Sequence, residues 1–552
     1  MMASSEQEAK EGNDAKNALS NNPDASAGDV EEANGNNLKR ALEGRHIQMI
    51  AIGGAIGAGL FVGSGEALAN GGPASVLIGY LVVGVLLLCT IMSLGELAIM
   101  YPINGAFYQY SARFIDPCWG FAVGWAYSLG WMVTLPFEIT AASLTIEYWN
   151  SSLNPAIFVS IFLIVLVIIQ VFGVRGYGEV EFVLSIIKVI ACIGLIILGI
   201  IINTGGVPGS PQGYIGGRYW SDPGAFANGF KGFCAVFVNA AVAFSGTELV
   251  GLAAAETKQP QKSLPTATKQ VLWRVTIFYI VNLLIVGLNV PYNSPQLLGS
   301  DDAASSAGVN TNASPFVLAI QDAGIHVLPS IINAVVLIAS LSVANSSTFA
   351  STRTLQALAA DGGAPSFFAY IDKAGRPLAP IALQVLFGFL AYLQFASSGL
   401  DVFNWLLSIA GVSTVMMNLS INIAHLRFRL ALKAQNRSTD EIPWKSSMGI
   451  VGSSIGAFLS AISLVAMFYS ALYAPGGDPP TAYNFFQQYL AGFMGLFLMI
   501  FWKLWNRQWW VGVPLRQIDL DSGRRYMEIE QLTPDEAGET LPWWKRAKEA
   551  IC

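Results

Sequence analysis

The chain has 552 residues, 53% of them hydrophobic and only 12% charged, with a formal net charge of −6 and a mean hydropathy of +0.50. A soluble globular protein carries roughly 25% charged residues, so a water-soluble fold of this size is excluded. The 30 basic and 36 acidic residues form no nucleic-acid signature.

Residues 1–46 are polar, rich in Asn, Ala, Ser and Glu, and hold no apolar core. They lack the pattern of a signal peptide and read as a disordered tail. Apolar runs of about 18 residues or more, long enough to cross a bilayer, follow at 47–68, 74–99, 119–147, 156–174, 180–202, 230–255, 272–290, 327–351, 378–395, 402–424, 449–473 and 485–505. They predict an all-α polytopic membrane protein of twelve transmembrane helices. The expected divisions are a tail over 1–46, a ten-helix core over 47–424, a loop with two further helices over 425–505, and a polar C-terminal tail over 506–552. With the N-terminus in the cytoplasm, the inside connections hold fourteen Lys and Arg and the outside ones only Arg218 and Lys231. That asymmetry is the positive-inside signal. It places both termini in the cytoplasm and requires an even number of spans.

The first span reads IQMIAIGGAIGAGLFVGSGEAL. Gly53, Gly54, Gly57 and Gly59 interrupt it near mid-membrane. Unpaired backbone is tolerated in a membrane only where it lines a cavity or a ligand site, although glycine also serves close helix packing. Span 6 carries the second interruption at Ser245, Gly246 and Thr247. Two five-helix repeats would make spans 1 and 6 equivalent and invert the second repeat, because five is odd. Paired interrupted spans in inverted halves point to a transporter site.

Helix dipoles suggest the ligand. The second half of span 1 would begin near Gly59 with free N–H groups that suit a carboxylate. The first half of span 1 and the outer half of span 6 would end in free carbonyls that suit an ammonium group. Together they fit an α-amino acid.

Three ionisable residues lie well within apolar spans: Glu138, Lys188 and Glu248. Facing lipid each would cost several kcal/mol, so they should face a cavity or one another. They serve either as a buried pair and hydrogen-bonded acid or as proton carriers, since desolvation favours the neutral form of such groups. Glu96 and Glu256 at span ends read as solvated or loop-anchoring, and Arg175 and Arg353 as gate or loop anchors. Phe244, just before the second break, either closes over a ligand or packs as ordinary core.

Other chemistries leave no trace. The five cysteines make no disulfide framework, the three histidines (His46, His326, His425) are scattered, and no phosphate loop or nucleophile–base motif occurs. No metal or cofactor is expected beyond a proton as coupling ion.

The segments LKRALEGRHIQMIAIGGAIGAGLFVGSG, LGELAIMYPINGAFYQYSARFIDPCWGFAVGWAYSLGW, LPFEITAASLTIEYW, FSGTELVGLAAAET, NSSTFASTRTLQALAADGGAP and IDLDSGRR together resemble the fungal amino acid permeases, the yeast amino acid transporter family of the amino acid–polyamine–organocation superfamily. The resemblance runs from about residue 38 to the final cysteine. It implies the 5+5 inverted-repeat (LeuT-like) fold of sodium-coupled amine transporters plus two peripheral helices, with helices 1 and 6 unwound. It also implies uptake of amino acids with protons across the plasma membrane. Gly57, Ala58 and Gly59 match the loop that binds the substrate carboxylate. Phe244, Ser245 and Gly246 match the segment that gates the site and receives the amino group; Glu248 follows in that motif. Lys188 resembles the span 5 lysine standing where other members hold sodium, and Glu138 matches a pocket glutamate. Ala58 departs from the usual central hydroxyl residue and removes a side-chain hydrogen bond.

In the tails, Lys10 and Lys16 resemble ubiquitin acceptors, which implies ubiquitin-ligase adaptors as partners. Cys552 resembles a palmitoylated terminal cysteine, its aromatic neighbours shifted back to Trp543 and Trp544. Asn150 and Asn312 lie in sequons of outside loops. The expected function is an amino acid:proton symporter in the bilayer of the plasma membrane, with neutral or basic substrates favoured over acidic ones because a pocket carboxylate repels another. An exchanger, a polyamine or organic-cation carrier, and an amino-acid-sensing receptor share many of these features.

Overall fold

The computed structural model describes residues 38–149, 153–298, 314–395, 399–475 and 481–524. Lys10, Lys16, Asn150, Asn312 and Cys552 lie outside the described residues. Among those described, the regular structure is helical apart from one bridge between Leu42 and Thr257. Nine helices among them are long and apolar enough to cross a membrane.

Chain signals explain where the helices start and stop. The stretch of the first span gives α1 (Gly44–Gly53) and α2 (Ala58–Phe61), followed by α3 (Gly63–Met100). Gly72 and Pro73 kink α3, which separates the end of the first span from the second. A short α4 (Ala106–Phe114) lies before α5 (Pro117–Glu147). Helix α5 opens with proline at its first position, and Asp116 Oδ1 caps it by accepting from Cys118 N at 2.8 Å. Asn154 caps α6 (Pro155–Val171) in the same way. Next come α7 (Gly173–Asn203), α8 (Gly229–Phe244), α9 (Leu249–Ala253), α10 (Pro260–Asn289), α11 (Leu328–Ala360), α12 (Leu378–Phe395), α13 (Gly399–Ala434), α14 (Gly449–Leu472) and α15 (Ala482–Asn506).

The core lies where α11 runs along α5 and α8 along α3. The outer helices turn large apolar side chains outward at helical spacing: Ile157, Ile161, Ile164 and Ile168 on α6, Ile190, Ile193, Ile197 and Ile201 on α7, Val451, Phe458 and Val465 on α14, and Phe497, Leu504 and Trp505 on α15. In water a belt of this extent would be unstable; it is the surface of a protein whose solvent is lipid.

One face gathers the cationic loops. Arg376 Nη1 donates to Val171 O at 2.6 Å, Arg113 Nη1 to Ser522 O at 2.6 Å, and Arg45 pairs with Glu179 at 2.6 Å. Arg427 reaches Phe114 O and Val513 O. These contacts tie together the connections that the charge count assigned to one side. We call this the tail face, because both described ends of the chain lie on it.

Two boundaries differ from the sequence expectation. Helix α1 begins at Gly44, and Leu42 is buried, its N–H donating to Glu256 O at 3.0 Å; folded structure therefore begins inside the stretch read as tail. Helix α13 continues past 424 because Phe428, Ala431 and Leu432 are covered by protein. The cover comes partly from the C-terminal segment, whose Ile518 and Leu520 are buried and whose carbonyls accept from Gln435 and Tyr101.

Candidate functional site

The site is built where the two broken helices touch. Helix α1 stops at Gly53 and α2 starts at Ala58, with Gly57 extended between them. Helix α8 stops at Phe244 and α9 starts at Leu249. Gly246 has φ +98°, a conformation that disfavours any residue with a Cβ. A Cβ at Gly246 would lie 3.2 Å from Gly54 O, and one at Gly59 would lie 2.9 Å from Ala243 Cα. The breaks are thus in direct backbone contact, one crossing point for two interruptions of helical hydrogen bonding.

On the donor side, α2 opens with Leu60 N bonded to Gly57 O at 3.1 Å, so the amides before it have no partner within the helix. The Glu138 carboxyl faces this end: it lies near the Ala58 amide, Ser340 and Lys188, and close to Gly57. Among the described residues its Oε2 has no hydrogen-bond partner within bonding geometry, while the Ser340 hydroxyl lies beside the carboxyl. Glu138 comes from α5 and Ser340 from α11, the two longest-packed helices of the core.

The acceptor side departs from the dipole argument. Carbonyls at the end of α1 are engaged by the protein's own donors. Arg274 donates to Ala51 O, Lys188 Nζ to Gly53 O at 2.5 Å, and the Tyr279 hydroxyl lies 3.1 Å from Ala55 O and 2.9 Å from Ala243 O. Phe244 O accepts from Thr247 Oγ1 at 3.0 Å. Peptide dipoles at mid-membrane are too costly to leave bare, so cationic and hydroxyl side chains cover them in this conformation.

Glu248 braces the second break. Its Oε2 accepts from Gly246 N at 3.0 Å and its Oε1 from the Tyr127 hydroxyl at 3.1 Å. Arg274 donates to Thr247 Oγ1 and sits 5.8 Å from the Tyr279 ring centroid. Phe244 is packed between Tyr80 and Tyr279, with centroids 5.8 Å and 4.3 Å away. Ser245 is half-buried and lies 3.3 Å from Thr414 Oγ1.

Lys188 is fully buried and pairs with Glu181 at 3.3 Å. Ser342 Oγ lies 2.7 Å from Lys188 Nζ and 2.8 and 2.7 Å from the two Glu181 oxygens. Glu181, Arg274 and Tyr279 are absent from the sequence reading of the site. Glu181 stands two helical turns from Lys188, on its face, a spacing that is visible in the chain. Arg274 falls at the edge of the apolar run 272–290, where a charge is ordinary.

Toward the tail face the site is closed. Arg353 Nε pairs with Glu256 at 2.9 Å, both buried, and the Arg353 guanidinium lies 4.7 Å from the Phe349 ring centroid. Glu96 is likewise buried rather than solvated: it holds His425 at 2.9 Å, Arg429 at 2.6 Å and Ser446 N at 2.8 Å, anchoring the loop before α14. Arg175 is exposed. Among the described residues no group of three or more His, Cys, Asp and Glu could hold a metal ion.

A polytopic helical protein with buried charges around two broken helices is a membrane transporter by architecture. The solved structure of a manganese transporter mutant from Eremococcus coleocola has the same fold, with TM-score 0.50 and 15% identity over 84% of this chain and 94% of that one. The amino acid permease family matches residues 46–513, and the chain belongs to that family, whose members are carriers rather than enzymes. It is 50% identical to the general amino-acid permease GAP2 of Candida albicans over 93% of this chain and 87% of that protein. It is 48% identical to the general amino-acid permease GAP1 of Saccharomyces cerevisiae over 93% of this chain and 86% of that one.

Proposed function

We propose that the protein is a plasma-membrane amino acid:proton symporter of twelve spans. Its core is a 5+5 inverted repeat with two peripheral helices, and both termini are cytoplasmic. The observation that carries the reading is the contact of the two broken helices at Gly59–Ala243 and Gly246–Gly54, with Glu138 and Lys188 against it. The amides at Gly57, Ala58 and Gly59 take the substrate carboxylate. The amino group takes carbonyls of the α1 and α8 ends, in exchange for the donors that now cover them. Phe244, Ser245 and Gly246 form the moving wall, and Lys188 with Glu248 supplies proton coupling.

Relatives named general amino-acid permeases support a broad substrate range, and Glu138 disfavours acidic substrates by repulsion. The cations gathered on the tail face, among them Arg45, Arg113, Arg376 and Arg427, support the cytoplasmic placement of that face.

The test is uptake of radiolabelled L-leucine into proteoliposomes with an imposed inward proton gradient. Accumulation that collapses with the gradient is expected, and Lys188→Ala abolishes accumulation. Uptake requiring an internal amino acid and indifferent to the gradient would establish obligate exchange instead.

A further inference from the structure

Helices α7 and α11 enclose a polar ladder of buried side chains. Tyr177, Glu181, Ser185 and Lys188 recur at helical spacing along α7, and Ser342 and Ser346 face them from α11; all are buried. The contacts are continuous. Lys188 Nζ lies 2.7 Å from Ser342 Oγ, Ser342 Oγ 2.7 Å from Glu181 Oε2, Ser346 Oγ 3.4 Å from that same oxygen, and the Tyr177 hydroxyl 3.3 Å from Ser346 Oγ. Ser185 Oγ adds a bond to Glu181 Oε1 at 3.1 Å. From Tyr177 to Lys188 the helix rises about 16 Å. Buried polar groups in a membrane are expensive, and packing alone would be served by apolar side chains.

We propose that Glu181, with Ser342, Ser346 and Tyr177, is a proton relay leading from Lys188 to the tail face. The inference rests on the proton-coupled reading above and extends it. A hydroxyl can accept one proton while giving up another. A proton leaves the Lys188 ammonium for Ser342 Oγ as the Ser342 proton passes to Glu181. One N–H bond breaks and one O–H bond forms, leaving a neutral amine and a neutral carboxylic acid. This step creates no unpaired charge in the low-dielectric interior. The Glu181 proton then passes to Ser346 as the Ser346 proton moves to Tyr177 and the Tyr177 proton to water. Lys188 takes a fresh proton from the substrate side as this happens, so the Lys188–Glu181 ion pair is restored and both hydroxyls are unchanged.

The relay ends behind the closed gate. Tyr177 stacks on Phe349 with centroids 4.5 Å apart and planes 2° from parallel, and Phe349 lies under Arg353 of the Arg353–Glu256 pair. Opening that gate would admit water to Tyr177. Among the described residues, Glu138 and Cys192 also bear on the ladder near Lys188, and Arg353, Glu256 and Tyr127 near Tyr177.

The test compares two readouts on the full chain in proteoliposomes: proton-gradient-driven accumulation of L-leucine, and L-leucine counterflow without a gradient. Glu181→Gln and Tyr177→Phe are each expected to lower accumulation at least ten-fold while counterflow falls less than about three-fold. Parental accumulation in both variants overturns the relay. So does an equal loss of both readouts, the mark of a structural role. If Glu181→Gln does not fold, Tyr177→Phe and Ser342→Ala decide by the same criterion. Failure of the unmodified protein to accumulate L-leucine on a proton gradient would remove the symport reading and the relay together, whereas the variant results bear on the relay alone.

Discussion

Gly59→Ala probes the contact on which the site depends. An added Cβ would stand 2.9 Å from Ala243 Cα, 3.1 Å from Ala243 N and 3.3 Å from Val242 C. Carbon atoms sit comfortably at about 3.5–4.0 Å, so the backbones must part by roughly half an ångström to one ångström. All three obstacles are main-chain atoms of a packed helix, and no side-chain rotation relieves them. Overpacking of this kind costs about 1–3 kcal/mol. At about 1.4 kcal/mol per factor of ten, the closed arrangement of the breaks loses roughly 5- to 140-fold in population. The control is Gly194→Ala on α7, where nothing among the described residues lies within 4 Å of the new Cβ; removing glycine from a helix interior stabilises by about 0.5–1 kcal/mol. The assay is the initial rate of L-leucine uptake per molecule at the cell surface, beside thermal unfolding in detergent. Gly59→Ala is expected to reach the surface and transport at least five-fold more slowly, while Gly194→Ala transports normally and melts no lower than the parent. Gly59→Ala with parental rate and KM would refute close backbone contact as the basis of the site.

Glu138→Gln is expected to raise the KM for L-arginine about ten-fold with little change for L-leucine; unchanged arginine uptake would remove Glu138 from substrate selection. Arg353→Leu leaves Glu256 charged and buried, a loss of about 3–5 kcal/mol. The double variant Arg353→Leu with Glu256→Leu should melt above the single one, and a double variant that is worse by the sum of both losses contradicts the pairing. On the tail face, Arg437 and Arg524 hold the Glu441 carboxyl at about 2, below its ordinary 4.5. Because the folded value is the lower one, this contact stabilises the docked C-terminal segment fully above about pH 4.5 and is lost as pH falls from there toward 2. Protease cleavage near Arg524 should be slow at pH 5 and faster at pH 3, and Glu441→Gln should abolish the difference.

Much of the architecture was legible in the chain. Lipid demands about 20 apolar residues per crossing, so a polytopic membrane protein declares itself by composition. The breaks were legible too, since GGAIGAG and FSGTE interrupt apolar runs where helix interiors are normally uniform. Glu138, Lys188 and Glu248 stood out because charge within an apolar run is rare.

Partnership was not legible. Glu181 and Arg274 sit at the edges of apolar runs, where charge is ordinary, and only the packing of α7 against α11 and of α10 against α1 draws them inward. Glu96 and Glu256, at span ends, read equally as solvated or loop-anchoring, and only burial shows them as clamps on His425, Arg429 and Arg353. The covering of the Ala51, Gly53 and Ala55 carbonyls by Arg274, Lys188 and Tyr279 depends on side chains up to 224 positions away in the chain. The amino-acid sequence by itself determined that the chain is an all-helical polytopic membrane protein and marked the glycine-rich stretches that interrupt its apolar runs, because both follow from local hydrophobicity and backbone freedom. Only the tertiary structure decided which buried charge meets which dipole, because those pairings are made between helices, where desolvation forces each polar group to find whatever partner the packing brings near.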